Sequence, residues 1–313
     1  MYYVGLLPKF KVNRPLAPEE RRMQVRQDRK VLLEPTSALS VTRINSTYLE
    51  MADKFYPWKG SITAIMLICA LMALSVPIGL IFFVKGPVAW QDMSSSQKME
   101  EFFFVSLMTV MALAVLAFLA WLILKESFRY THYPIRLNRK NRKVYVFRLD
   151  GTVLETPWDD LFITMGPATP SRAFGVEAWD LRAHVLDQDG ETVRETFAFG
   201  YVSDPENLRH YFAYLQRYMD EGPQAVAPYT LDCLDIVDRR ETTIFGFKRL
   251  WVNPNGLLFI QILMLPLFIV SAIGRVIAMR TSKIPQWPSE VEAANRIEPG
   301  DPWVRDARTH PAR

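Results

Sequence analysis

Three long apolar runs constrain this chain more than any other feature. Ser61–Val84 holds 24 residues without a charge, 102–124 holds 23, and 256–274 holds 19. At 1.5 Å per residue the first rises about 36 Å, enough for the roughly 30 Å of hydrocarbon in a bilayer. Pro77 and Gly79 lie inside it, and such residues are tolerated in membrane helices. Trp121 sits near one end of the second run, where an interfacial anchor belongs. The third run carries Gln261 and Pro266 and is followed by Arg275. It reads as a span with Arg275 reaching for the interface, or else as an interfacial or re-entrant helix. The first run begins some sixty residues in and is too long for the apolar part of a signal peptide.

Averages conceal this arrangement. The 313 residues are 50% hydrophobic and 22% charged, with a mean hydropathy of +0.02. Apolar runs alternating with charged stretches exclude a disordered chain, a collagen and a disulfide scaffold. Lys and Arg number 37 against 33 Asp and Glu, a net +4 that topology explains better than nucleic acid does. The two cysteines, Cys69 and Cys233, fall in an apolar run and in a polar stretch, so nothing requires an oxidising compartment.

Basic residues set the expected orientation. Between the first two runs, 85–101 carries Lys85 and Lys98; the twenty residues after the second carry Lys125, Arg129, Arg136, Arg139, Lys140, Arg142 and Lys143. Positive-inside then places residues 1–60 and the middle region in the cytoplasm, with 85–101 outside. A third span would send the tail outside too. The arm contains a helical candidate at 18–33 (PEERRMQVRQDRKVLL), which reads as a solvated helix or as a basic face on anionic lipid. Arg136, Arg139, Lys140, Arg142 and Lys143, directly after a span, read as headgroup contacts rather than as a nucleic-acid patch.

The middle region alternates. Ile135 and Leu137, then Val144 and Val146, suggest strands, and Asp150-Gly151 marks a tight hairpin. A second hairpin is expected at 187–190 (DQDG). Ser203 and Asp204 cap a helix running to Glu221 and stopping at Gly222-Pro223, with Leu208, Tyr211, Phe212, Leu215, Tyr218 and Met219 forming one apolar stripe. This order, with the phrase RLDGTVLETPWDDL, resembles small bacterial pleckstrin-homology-like domains, in which a C-terminal helix closes a curved sheet. The expected fold class is a membrane protein with helical spans, a two-span hairpin plus a third, carrying a cytoplasmic α+β domain. Its segments are a basic arm (1–60), the hairpin (61–84 and 102–124), the domain (125–252), the third helix (255–279) and a proline-rich tail (280–313), with a short helix near 289–296.

No catalytic, cofactor or metal site emerges. His132, His184, His210 and His310 are scattered, and Cys233 has no partner at ligand spacing. Residues 187–190 lack the glycine position and closing Glu of a calcium loop. Asp159-Asp160 reads as a helix N-cap rather than a carboxylate pair. Asn45-Ser46-Thr47 matches a glycosylation acceptor only as a pattern. There is no glycine-rich phosphate loop, no G-x-S-x-G and no H-E-x-x-H, so a non-enzymatic role is expected.

Two stretches, 210–223 (HYFAYLQRYMDEGP) and 284–302 (IPQWPSEVEAANRIEPGDP), resemble recurring signatures of a family of uncharacterised proteobacterial membrane proteins commonly encoded beside type VI secretion spike proteins and toxins. The resemblance implies an inner-membrane immunity protein that binds a cognate toxin, with a scaffold or accessory protein for effector delivery, or a membrane-inserting toxin, as the other readings. It carries no functional residues. Aromatic and Arg side chains dominate binding energy at interfaces, and helix periodicity places Tyr214 and Arg217 off the buried stripe, where a protein partner would find them.

Overall fold

The computed structural model describes residues 10–84, 93–168, 179–202, 204–252, 262–263 and 265–311. Lys85, Ser203 and the start of the third apolar run lie outside them. In chain order the elements are β1 (Arg14–Pro15), α1 (Pro18–Arg22), β2 (Gln24–Val25), β3 (Val41–Ile44), β4 (Tyr48–Met51), α2 (Ser61–Val84) and α3 (Ser95–Glu126). Then come β5 (Ile135–Asn138), β6 (Lys143–Phe147), β7 (Val153–Pro157), β8 (Phe162–Pro167), β9 (Trp179–Leu186) and β10 (Thr192–Val202). The chain continues with α4 (Pro205–Glu221), α5 (Pro223–Val226), α6 (Thr243–Val252), α7 (Leu265–Thr281), α8 (Ser289–Ala294) and β11 (Arg305–Asp306).

Two compact units result. The first comprises Met1–Trp58, Tyr130–Phe245 and Ser282–Arg313; the second comprises Lys59–Arg129 and Gly246–Thr281. The expected fold class is overturned by the first unit. It is α+β with two antiparallel sheets, not one pleckstrin-homology-like sheet confined to 125–252. The smaller sheet runs β1-β10-β9-β8-β2 and the larger β11-β3-β4-β5-β6-β7. Strands from the arm and from the tail are built into both the edges and the middle of these sheets. Only long-range pairing reveals that, because β4 and β5, like β11 and β3, pair although they lie far apart in sequence.

Strand periodicity decides what each face of the larger sheet does. Ile44, Leu49, Leu137 and Val144 stand in one cross-strand row, and Met51, Ile135 and Val146 in another. Both rows point into a core shared with Ile163, Leu181, Ala183, Phe197 and Phe199 of the smaller sheet and with α4. Trp158, fully buried, fills the space between them. Asp204 caps α4 by accepting the Asn207 amide at 2.9 Å, and Gly222 ends it at φ 95°, a left-handed conformation suited to glycine.

The 18–33 candidate is helical only over α1; beyond it the arm becomes β2 and then an irregular strap over α4. Gln216 donates to the carbonyls of Gln27 and Arg29 at 2.8 Å, Arg217 to that of Leu33 at 2.8 Å, and the Thr36 amide to that of His210 at 3.2 Å. Asp159 and Asp160 precede a strand, β8, rather than a helix. Asn45 is buried and its Oδ1 accepts the Thr47 and Tyr48 amides at 2.8 and 2.9 Å, so the glycosylation pattern is a turn.

In the second unit α2 and α3 pack through Met66, Leu119 and Leu122. Glu126, buried, accepts from the Gly60 and Thr63 amides at 2.8 and 2.7 Å and so caps the start of α2. These two helices are long and apolar enough to cross a membrane. Only 22% and 17% of the residues in their most apolar stretches are buried, whereas a helix in a soluble core is mostly buried. Leu71, Met72, Phe82, Phe102, Phe103 and Val110 all stand exposed. α7 is 17 residues long, and among the described residues no third helix meets the same test.

A charged row and a cleft as the candidate binding site

The second face of the larger sheet carries one row of side chains across all six strands. Asp306 pairs with Arg43, Arg43 with Glu50, Glu50 with Arg136, Arg136 with Tyr145, and Tyr145 with Glu155. Directly opposed residues share a face of the sheet, so opposite charges alternate along the β11-β3-β4-β5 part of the row. Glu50 and Arg136 are each 2% exposed and form an ion pair. Burial pushes the Glu50 carboxyl up; the adjacent Arg136 guanidinium outweighs that and holds it below the usual carboxylate range.

The tail covers this pair. Trp287 donates its indole N–H to Glu50 Oε2 at 2.9 Å, and Glu292 of α8 takes Arg136 Nη2 at 2.9 Å. The Arg136 guanidinium lies between the Tyr48 and Trp287 rings, 4.5 and 4.8 Å from their centroids. Asn138 Nδ2 donates to the Ala294 carbonyl and to Asn295 Oδ1, both at 2.9 Å. Farther on, Asp301 accepts from the Ser46 amide and hydroxyl at 2.7 and 2.8 Å, and β11 closes the sheet edge on β3. The tail is thus a built part of the fold, held by polar contacts from β4 to β11.

At the β11 end the row opens into a cleft of about 150 Å³ lined by Thr42, Arg43, Asp235, Asp238, Arg239 and Arg308 among others. Arg43 and Arg308 both approach Asp238, at 3.5 and 3.8 Å, and Arg239 pairs with Asp235. Three cations and three carboxylates, counting Asp306, meet there. Such alternation favours a polar surface with both signs of charge over a polyanion. Thr42 links cleft to core, donating to Glu50 Oε1 at 3.2 Å.

The residues singled out from sequence lie elsewhere and are otherwise occupied. Tyr214 is fully buried, its hydroxyl 2.6 Å from Thr230 Oγ1, and burial pushes its phenol well above the usual range. The reason is the arm and the 223–230 turn, which wrap the helix face that periodicity alone leaves open. Arg217 is spent on the Leu33 carbonyl. Arg136 lies inside the fold rather than against headgroups. Arg139 packs against Gly222, Lys140 pairs with Glu298, Arg142 with Asp159 (2.6 Å) and Asp220 (3.2 Å), and Lys143 with Glu155. For Arg136, Lys140, Arg142 and Lys143 the neighbours in space are carboxylates of this chain.

Other polar clusters are sealed. His184 Nδ1 lies 2.7 Å from Thr196 Oγ1 and its Nε2 lies 3.3 Å from Glu20, an arrangement like a catalytic triad, yet His184 and Thr196 are both fully buried. Lys54 and Asp180 pair inside the same unit, and burial lowers the Lys54 ammonium. Burial pushes the Cys233 thiol up to about 12, which makes it a poor nucleophile. Among the described residues no three His, Cys, Asp or Glu side chains are placed to hold a metal ion.

The signal that would have found the row is the pairing of β3, β4 and β5; no local pattern carries it. Neither a curated protein nor a solved structure matches the chain. A family model does, over residues 110–299, from the second half of α3 to a few residues past α8. The match spans well over half of the chain, which therefore belongs to DUF6708, a family of unknown function.

Proposed function

We propose that this protein is held at the bacterial inner membrane by the α2–α3 hairpin and acts by binding another protein with its two-sheet unit, not by turning over a substrate. The observation that carries the anchoring is the exposed apolar surface of α2 and α3. The basic excess after α3 favours a cytoplasmic two-sheet unit and a hairpin tip outside. Binding is supported by the mixed-charge cleft at the β11 edge. The resemblance of 210–223 and 284–302 to proteins encoded beside type VI secretion toxins supports a cognate toxin as the partner and immunity as the role.

The test expresses the full chain in cells that receive the toxin encoded beside it. Survival, with a complex recovered from detergent, is the expected result. Arg239→Glu with Arg308→Glu, both exposed in the cleft, should weaken that complex about tenfold or more, roughly 1.4 kcal/mol. Killing despite expression, with no complex, overturns immunity and leaves an accessory role in effector delivery ahead.

A further inference from the structure

We infer that residues 246–281 do not cross the bilayer: α7 enters a single leaflet beside the hairpin, lays its apolar face against acyl chains there, and returns the tail to the side from which the segment left. This rests on the membrane placement proposed above. The first observation is where the segment begins and ends. Phe245 and Ser282 both belong to the two-sheet unit. Arg240 Nη2 donates to the Ser282 carbonyl at 2.9 Å, and the next carbonyl, Lys283, accepts the Thr131 amide at 2.8 Å. The tail then supplies β11 to β3 and Trp287 to Glu50. One sheet cannot have strands on both sides of a membrane, so the segment crosses either twice or not at all. Two crossings need about 40 predominantly apolar residues, more than the whole excursion from 246 to 281 provides.

The second observation is how α7 meets the hairpin. A Cβ on Gly274 would lie 2.6 Å from the Ala64 amide nitrogen and the Gly60 carbonyl oxygen, and one on Gly60 would lie 2.2 Å from Arg275 Cα. The helices therefore touch backbone to backbone at the first turn of α2. Arg275 Nη1 donates to the Lys59 carbonyl at 3.0 Å there, which puts charge and polar backbone at the level where α2 would enter the bilayer. From that level, residues 265–274 rise about 15 Å, half of the roughly 30 Å hydrocarbon thickness. Leu267, Ile269 and Ile273 are 53%, 46% and 52% exposed. Acyl chains of the nearer leaflet are the occupant that fits this short, wholly apolar face.

Full-length protein carrying single cysteines, in a background of Cys69→Ala and Cys233→Ala, is labelled in sealed vesicles with a membrane-impermeant maleimide. Asp28→Cys and Glu290→Cys, both at exposed positions, should react from one face, and Ser95→Cys from the other. Glu290→Cys reacting together with Ser95→Cys would mean that 246–281 spans, and overturns the inference. Asp28→Cys reacting together with Ser95→Cys would instead remove the anchoring hairpin, and the inference with it. A dye on Leu267→Cys should be quenched by acyl-chain spin labels; unchanged emission places α7 outside the lipid and refutes the leaflet contact. Epitope tags at the two ends of the unsubstituted chain, detected before and after permeabilisation, repeat the side assignment: both tags on one side agrees, opposite sides refutes.

Discussion

Glu50 and Arg136 are direct register partners on adjacent strands, β4 and β5, and the indole of Trp287 closes over them from the tail. One buried ion pair therefore joins three segments of the chain. Removing one member of such a pair leaves an uncompensated buried charge, whereas replacing both with apolar groups is often neutral or stabilising. Arg136→Met is expected to cost about 3–5 kcal/mol, read as a fall in the thermal midpoint of the full chain in detergent. Glu50→Leu with Arg136→Met should recover most of that loss. A double variant as unstable as the single one would show that Trp287 and Glu292, not the pair, set the stability.

Acid should unfold the two-sheet unit. Burial raises the Glu20 carboxyl, but His184 at 3.3 Å and the two-pronged Arg14 contact at 2.6 and 2.8 Å outweigh it, leaving Glu20 well below its usual range. Glu50, Asp159 and Asp301 are depressed as well. Depressed folded values contribute stability above the unfolded carboxylate pKa of about 4 and lose it as pH falls through the folded values. The thermal midpoint should thus stay level from pH 7 to pH 5 and drop below about pH 4. A drop between pH 7 and 5 would point to other groups.

Glycine substitutions should separate close contact from open space. Gly274→Ala drives a methyl into Ala64 and the Gly60 carbonyl and should destabilise by about 1–3 kcal/mol. Gly60→Ala adds the strain of φ 93° to a collision with backbone and should cost more. Gly79→Ala, with nothing within 4 Å, should be neutral or stabilising. Thermal unfolding of the three variants checks the order, and a harmless Gly274→Ala would contradict the close α2–α7 contact.

Tyr214 offers a direct check on burial. Tyr214→Phe removes the hydrogen bond to Thr230 and should cost about 1 kcal/mol, while Tyr214→Ala should cost about 3–5 kcal/mol by opening the core. Exchange of one surface tyrosine would barely move the midpoint.

Much of the smaller-scale structure is legible in the sequence because its causes are local. The cap at Asp204, the glycine stop at Gly222, the turns at Gly151 and Gly190 and the alternation through Ile135 and Val146 all follow from neighbours along the chain. The two apolar helices are legible for the same reason. What is hidden is decided between distant residues: that β4 leads into a hairpin and β5 resumes beside it, that a run of basic residues supplies a core guanidinium at Arg136, and that residues 27–36 wrap α4 and bury Tyr214. The tail shows the limit most plainly. Its prolines suggest an extended stretch broken by one short helix, and nothing local shows that Trp287, Glu292 and Asn295 each meet a complementary group on β4 or β5.

The placement of β11 also sets a timetable. As the chain is synthesised, β3 and β4 leave the ribosome first, then the apolar hairpin, and only afterwards the β5 strand that pairs with β4. β3 keeps an open edge until residues 305 and 306 emerge, some 260 residues after it. Synthesis of the apolar hairpin therefore precedes completion of the sheet whose strands flank it in sequence, and a chain broken before Trp287 lacks both the indole over Glu50 and the β11 strand that covers the β3 edge.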